Sequence, residues 1–255
     1  MINKNEIPIL EYDDNSKEVL RPGFSANNRN LPKKLLFAFL HYPDEYTIEQ
    51  YEQARVLDMF VTITKNTPIY GLEIDGEEIC VAQAPLGASA SAEFLDQLIA
   101  CGVEEILAIG SCGELVDFGE NEFLLPTRAL RDEGTSYHYL PAKRFVDLNL
   151  EMVNRLKAAL DKLDLHYHEC TTWTTDGFFR ETEDMVKYRI DEGCQVVEME
   201  CAALAACAEK RGAKFVQILY TADSLVNFEE YDERSWGKKA ASKSLELGLR
   251  LIRAL

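Results

Sequence analysis

Short apolar runs rich in β-branched and aromatic side chains alternate along this chain with segments whose apolar residues recur at helical spacing. The runs at 35–40, 60–64, 68–74, 78–84, 105–109, 123–126, 167–173, 196–197 and 215–220 predict strands. Asp75-Gly76 predicts a hairpin turn between two of them. Helical spacing predicts helices over 92–101, 148–163, 201–209 and 235–255, and Thr47-Ile48-Glu49-Gln50 fits a capping box that opens a further helix to about Met59. Strands interleaved with helices over 255 residues predict a single α/β domain, 1–255. Residues 1–33 have little periodicity and hold Asp13-Asp14-Asn15-Ser16 and Asn27-Asn28-Arg29-Asn30, so they predict an extended arm or loops, an element that often packs on a neighbouring subunit.

The pattern is densest at 193–225, where an alanine-rich helical stretch separates two strand-like runs. Carboxylates follow each run: Glu198-Met199-Glu200 after the first and Asp223 after the second. Ligands of open α/β sheets sit outside the carboxyl ends of strands, so these acids are expected to converge on one crevice. A carboxylate there can accept both hydroxyls of a vicinal diol, and a protonated one can donate to a leaving group. A sugar bearing a leaving group suits that pair. The alternative is helix capping, since acids favour a first turn; Met199 between two glutamates fits a pocket wall better.

Composition narrows the classes. The net charge of −17, from 44 acids against 27 bases, disfavours nucleic acid and anionic membranes as partners. No stretch approaches the roughly 18 consecutive apolar residues of a membrane span, and the first residues lack the apolar core of a signal peptide. The seven cysteines are odd in number, widely spread and without a CxxC pair, which predicts reduced thiols in a cytoplasmic protein, neither a disulfide framework nor a zinc site.

Val197-Glu198-Met199-Glu200-Cys201 followed by Thr221-Ala222-Asp223-Ser224 resembles the purine nucleoside and uridine phosphorylase superfamily. Gly110-Ser111-Cys112-Gly113, Glu133-Gly134-Thr135-Ser136-Tyr137-His138 and Thr174-Thr175-Asp176-Gly177-Phe178-Phe179 resemble it in the same order, over about residues 60–255. The resemblance implies a three-layer sandwich around a mixed central sheet and cleavage of the N-glycosidic bond of a nucleoside by phosphate, with no metal or organic cofactor. It also implies a homo-oligomer, a dimer or a trimer of dimers. By that likeness Met199 and Glu200 hold the ribose, and Phe178 stacks on the base with Thr175 and Glu198 beside it. Asp223, supported by Arg234 from the last helix, protonates the purine. Gly110, Ser111 and Lys65 bind phosphate, Lys65 from across a subunit interface.

The departures bear on function. The family's arginine before the Gly-Ser turn is Ala108 here, and its N-terminal phosphate loop has no counterpart. Arg131 and Arg180 are other candidate replacements, and His138 is the most notable of the four histidines, an interface or core residue rather than a catalytic one. Thr182 and Asp184 stand where uridine phosphorylases carry the glutamine and arginine that read uracil, whereas Asp223 fits purines. A nucleosidase using water, uridine phosphorylase-like activity and an inactive nucleoside-binding protein stay as alternatives.

Overall fold

Most of the predicted apolar runs form strands, and the way those strands pair decides where the site lies. The computed structural model describes residues 2, 4–24, 26–41 and 44–255. In chain order these hold β1 Lys34–Ala38, β2 Arg55–Val61, β3 Asn66–Ile74, β4 Glu77–Gln83, α1 Ala88–Ala100, β5 Glu105–Glu114, β6 Phe123–Asp132, α2 Ser136–Tyr139, β7 Phe145–Asp147, α3 Leu150–Lys162, β8 His168–Thr175, α4 Glu183–Asp191, β9 Val196–Glu198, α5 Cys201–Arg211, β10 Lys214–Ser224 and α6 Lys238–Ala254.

The strands make one mixed sheet. β1 runs parallel to β4 and β5, and β2, β3 and β4 form successive antiparallel pairs. β5 is parallel to β10, β10 antiparallel to β6, β6 parallel to β8, β8 parallel to β9, and β9 antiparallel to β5. These last pairings close β5, β10, β6, β8 and β9 into a ring. Closure corrects the simple strand-helix-strand picture of 193–225. β9 and β10 are not parallel neighbours, and Glu198 and Asp223 come together because both strands flank β5, where Gly113 is in register with Val197 on one side and Asp223 on the other.

Alternation along β1 shows the layers. Phe37 packs edge-on against Phe94 of α1, with ring centroids 5.5 Å apart, while its neighbour Leu36 points the other way, at Gly248 of α6. A Cβ at Gly248 would come within 2.7 Å of Leu36, so the helix can seat on the sheet this closely only with glycine there. α1, α2 and α5 pack together, and α3 packs with α6. The result is the three-layer sandwich with a mixed central sheet.

Some boundaries differ from the sequence reading. No helix follows Thr47: a 3-10 turn at Ile48–Gln50 gives way to β2, and the Thr47 side chain makes no cap. Pairing with β3 overrides the local signal, and buried Asp58 on β2 accepts the backbone N–H groups of Asn27 and Asn28 at 3.1 and 3.0 Å. β5 continues straight through Gly110–Glu114 rather than turning there. β6 runs on past Pro126, with a register shift between Pro126 and Arg128 that accommodates a residue unable to donate to the ladder. α6 starts only at Lys238, because Arg234, Ser235 and Trp236 are left-handed, with φ of 40°, 51° and 57°. The N-terminal segment lies on its own chain: Tyr12 donates to the Tyr139 carbonyl, and Asp14 and Glu18 pair with Lys210 and Arg211 of α5.

Candidate functional site

Where β5, β9 and β10 meet, a cavity of about 680 Å³ opens, lined among others by Ser111, Phe178, Met199, Glu200 and Asp223. The turn from β9 into α5 builds one wall. Glu198 closes β9, and its carboxylate accepts the Thr172 hydroxyl at 3.1 Å, the Thr174 hydroxyl at 2.6 Å and the backbone N–H groups of Glu200 and Cys201 at 2.7 and 2.6 Å. These donors fix the loop and cap α5, and they occupy Glu198 fully although it borders the cavity. The capping alternative thus describes Glu198, and Glu200 is the acid left over. Glu200 accepts the Gly87 N–H at 2.6 Å. Gly87, at φ 94°, is the residue that starts α1, so the turn into that helix gives Glu200 a backbone donor. Burial raises the pKa of both glutamates, but the four donors favour the Glu198 anion. Burial and that anion push Glu200 up to about 8.

Asp223 ends the opposite wall. It is 6% exposed, burial raises its pKa, and the Tyr231 hydroxyl, donating to Oδ2 at 2.8 Å, holds that rise back. Phe178, 41% exposed, lines the same cavity with Trp236 and Glu181. Glu181 is pushed up to about 7, first by burial and then by the charge of Asp223. Arg234 does not hydrogen-bond to Asp223. The left-handed turn directs it to Glu114, the fully buried last residue of β5, with Nη1 2.7 Å from Oε2. The contact is an ion pair off the line of a hydrogen bond, which leaves both Glu114 oxygens without one. Burial pushes Glu114 up to about 7 despite the guanidinium. Thr175 lies behind the wall, its hydroxyl accepting the Gly177 N–H at 3.1 Å.

Gly110 and Ser111 line the cavity from β5, Ser111 as an exposed residue. Lys65 lines its own chain's cavity, with Nζ 3.4 Å from Gln83 Oε1. Arg131 is buried elsewhere, donating to Ser136 and to the carbonyls of Leu140 and Pro141. Arg180 and His138 are off the cavity lining. Ala108 is buried in the ring, and no arginine lines the cavity among the described residues. In register with Ala108 on β10 is Gln217, 1% exposed, which reaches the cavity and whose Oε1 has no protein partner.

Glu181, Gln217, Tyr231 and Glu114 escaped sequence reasoning. Gln217 carries a signal, a polar residue amid the apolar run Phe215–Tyr220; the others lie in segments whose partners only the fold supplies.

Residues 47–253 match the model of the phosphorylase superfamily. A DeoD-type purine nucleoside phosphorylase of Bacillus cereus is 27% identical over 158 residues, which is 61% of this chain and 67% of that one. The purine nucleoside phosphorylase of Toxoplasma gondii, solved with immucillin-H, superposes with a TM-score of 0.75 at 14% identity, over 94% of this chain and 98% of that one. The AMP nucleosidase of Bacteroides thetaiotaomicron superposes with a TM-score of 0.69 at 19% identity, over 88% of each chain.

Proposed function

Since this chain belongs to the phosphorylase superfamily, we propose that it is a pentosyltransferase that cleaves the N-glycosidic bond of a purine nucleoside with phosphate, giving free base and ribose 1-phosphate. The observation that carries this reading is one cavity bordered by two nearly buried acids in different settings, Glu200 beside Met199 and Asp223 on the wall with Phe178.

The ribose lies on Met199, and its 2′ and 3′ hydroxyls donate to Glu200. An aromatic face gives a flat base contact area, and Phe178 supplies it. Asp223, whose pKa burial raises, donates a proton to the purine N7 as the C1′–N9 bond breaks, so that the base departs neutral; a positioned acid contributes about 10²–10⁴ in rate. A phosphate oxygen then bonds to C1′, and the proton that phosphate gives up restores Asp223 through solvent. Ser111, Lys65 and the Gln217 amide are the groups left to hold phosphate in the absence of an arginine clamp, a weaker set than bidentate guanidinium. The reaction uses phosphate as co-substrate and calls for no metal or organic cofactor. We place the enzyme in the cytoplasm as a homo-oligomer, a dimer or a trimer of dimers; sedimentation tests the assembly.

One observation favours a second reading. With Ala108 in the ring and no arginine on the lining among the described residues, water takes the place of phosphate and the chain is a nucleosidase. Incubation with inosine, adenosine, guanosine and uridine, with and without phosphate, separates the cases. Phosphate-dependent base release from purine nucleosides supports phosphorolysis, and phosphate-independent release supports the nucleosidase. Release from uridine alone removes the purine assignment, and binding without release leaves a nucleoside-binding protein.

A further inference from the structure

We propose that Glu122, His166 and His168 form a site for one divalent transition ion of the zinc class, outside the reaction cavity. β6 and β8 run parallel with Leu124 in register with His168. Glu122 lies just ahead of β6 and His166 just ahead of β8, so the paired starts of the two strands bring a carboxylate and two imidazoles together. The three ligand atoms lie within 4.8 Å of one another, with His168 Nε2 3.7 Å from Glu122 Oε2 and the two imidazole centroids 4.7 Å apart. Donors on a tetrahedral ion with bonds near 2.0–2.1 Å are about 3.4 Å apart, so small side-chain rotations complete the site.

The scaffold is held in place. The Glu122 backbone N–H donates to the Thr221 hydroxyl and its carbonyl accepts the Thr221 N–H, both at 3.0 Å. The Phe118 ring packs on His168 at 5.0 Å. Two imidazoles with one carboxylate suit zinc and its neighbours and disfavour magnesium or calcium, which prefer oxygen. The cysteines, all buried, do not compete as accessible thiolates. His166 is exposed, which leaves a fourth position for water, and none of the three ligands lines the cavity. A bound ion would tie the approach to β6 onto the start of β8, across a ring whose strand β10 carries Thr221 two residues before Asp223.

The test is calorimetric titration of the full, chelator-stripped chain with Zn²⁺, with thermal unfolding followed in parallel. The expected result is saturable binding of one ion with micromolar or tighter affinity and a Tm that rises with zinc, as mass action requires of a ligand of the folded state. His168→Ala and His166→Ala weaken binding tenfold or more, His138→Ala does not, and Glu122→Gln serves as the milder variant if an alanine fails to fold. Lack of saturable one-to-one binding, or equal affinity in the wild type and the folded ligand variants, would overturn the proposal.

Discussion

The Tyr231 hydroxyl donates to Asp223 Oδ2 across 2.8 Å, from a segment that joins β10 to α6. Burial raises the Asp223 pKa and this bond lowers it, by stabilising the anion. Tyr231→Phe therefore raises it further. If protonated Asp223 delivers the proton, base release falls as pH rises through that pKa, and the falling limb of the pH–rate profile moves to higher pH in Tyr231→Phe. A limb that stays put would separate Tyr231 from the acid's titration.

Replacing Asp223 with alanine removes the donor. Purine turnover is expected to drop by about 10²–10⁴, with Tm unchanged or higher because a buried acid has gone. Steady-state kinetics and thermal unfolding measured together decide this, and unchanged turnover takes Asp223 out of the role.

Glu200 predicts a pH dependence of binding. With its pKa near 8 in the free protein, ionisation turns it into an acceptor for both ribose hydroxyls. Nucleoside affinity measured without phosphate is expected to increase between about pH 7 and 9, and Glu200→Gln to bind more weakly with a flatter profile.

The fold itself should respond to pH. Glu114 and Glu181 at about 7 and Glu200 at about 8 in the folded chain all lie above the ordinary glutamate value of 4.5. For such groups the folded state binds the extra proton, so their contribution is fully present below the unfolded pKa and is lost as pH rises through about 7–8. Tm is accordingly expected to fall between about pH 5.5 and 8.5. Arg234→Met leaves Glu114 without its counter-charge; the loss, up to about 3–5 kcal/mol near pH 8.5 for a broken buried pair, shrinks near pH 5.5, where Glu114 is neutral. Denaturant unfolding at the two pH values checks the difference.

If phosphate relies on Lys65, Lys65→Ala raises the KM for phosphate about tenfold while leaving the KM for nucleoside nearly unchanged, since one charge-assisted contact is worth roughly 1.5 kcal/mol. Steady-state kinetics at varied phosphate reads the split.

The sequence made the strands legible through their branched and aromatic bias, and Glu200, Asp223 and Phe178 through short motifs beside strand ends. It could not reveal the ring, because β9 onto β5 and β10 onto β6 are pairings between distant segments that local pattern does not encode. The helix expected after Thr47 failed for a local reason: β2 folds back on β3 as a hairpin, Val61 in register with Asn66, and that pairing outweighs the capping signal. Arg234 was visible near the expected spacing, yet the left-handed turn at 234–236 sends it to Glu114. Glu198 read as a site acid because its neighbours did, while its four donors come from β8 and the start of α5.

The most direct test of phosphorolysis follows ³¹P resonances while the protein acts on inosine in phosphate. Inorganic phosphate is expected to convert into ribose 1-phosphate in step with hypoxanthine release, and Asp223→Ala to slow both together. Hypoxanthine appearing with free ribose while the phosphate signal stays constant would contradict phosphorolysis.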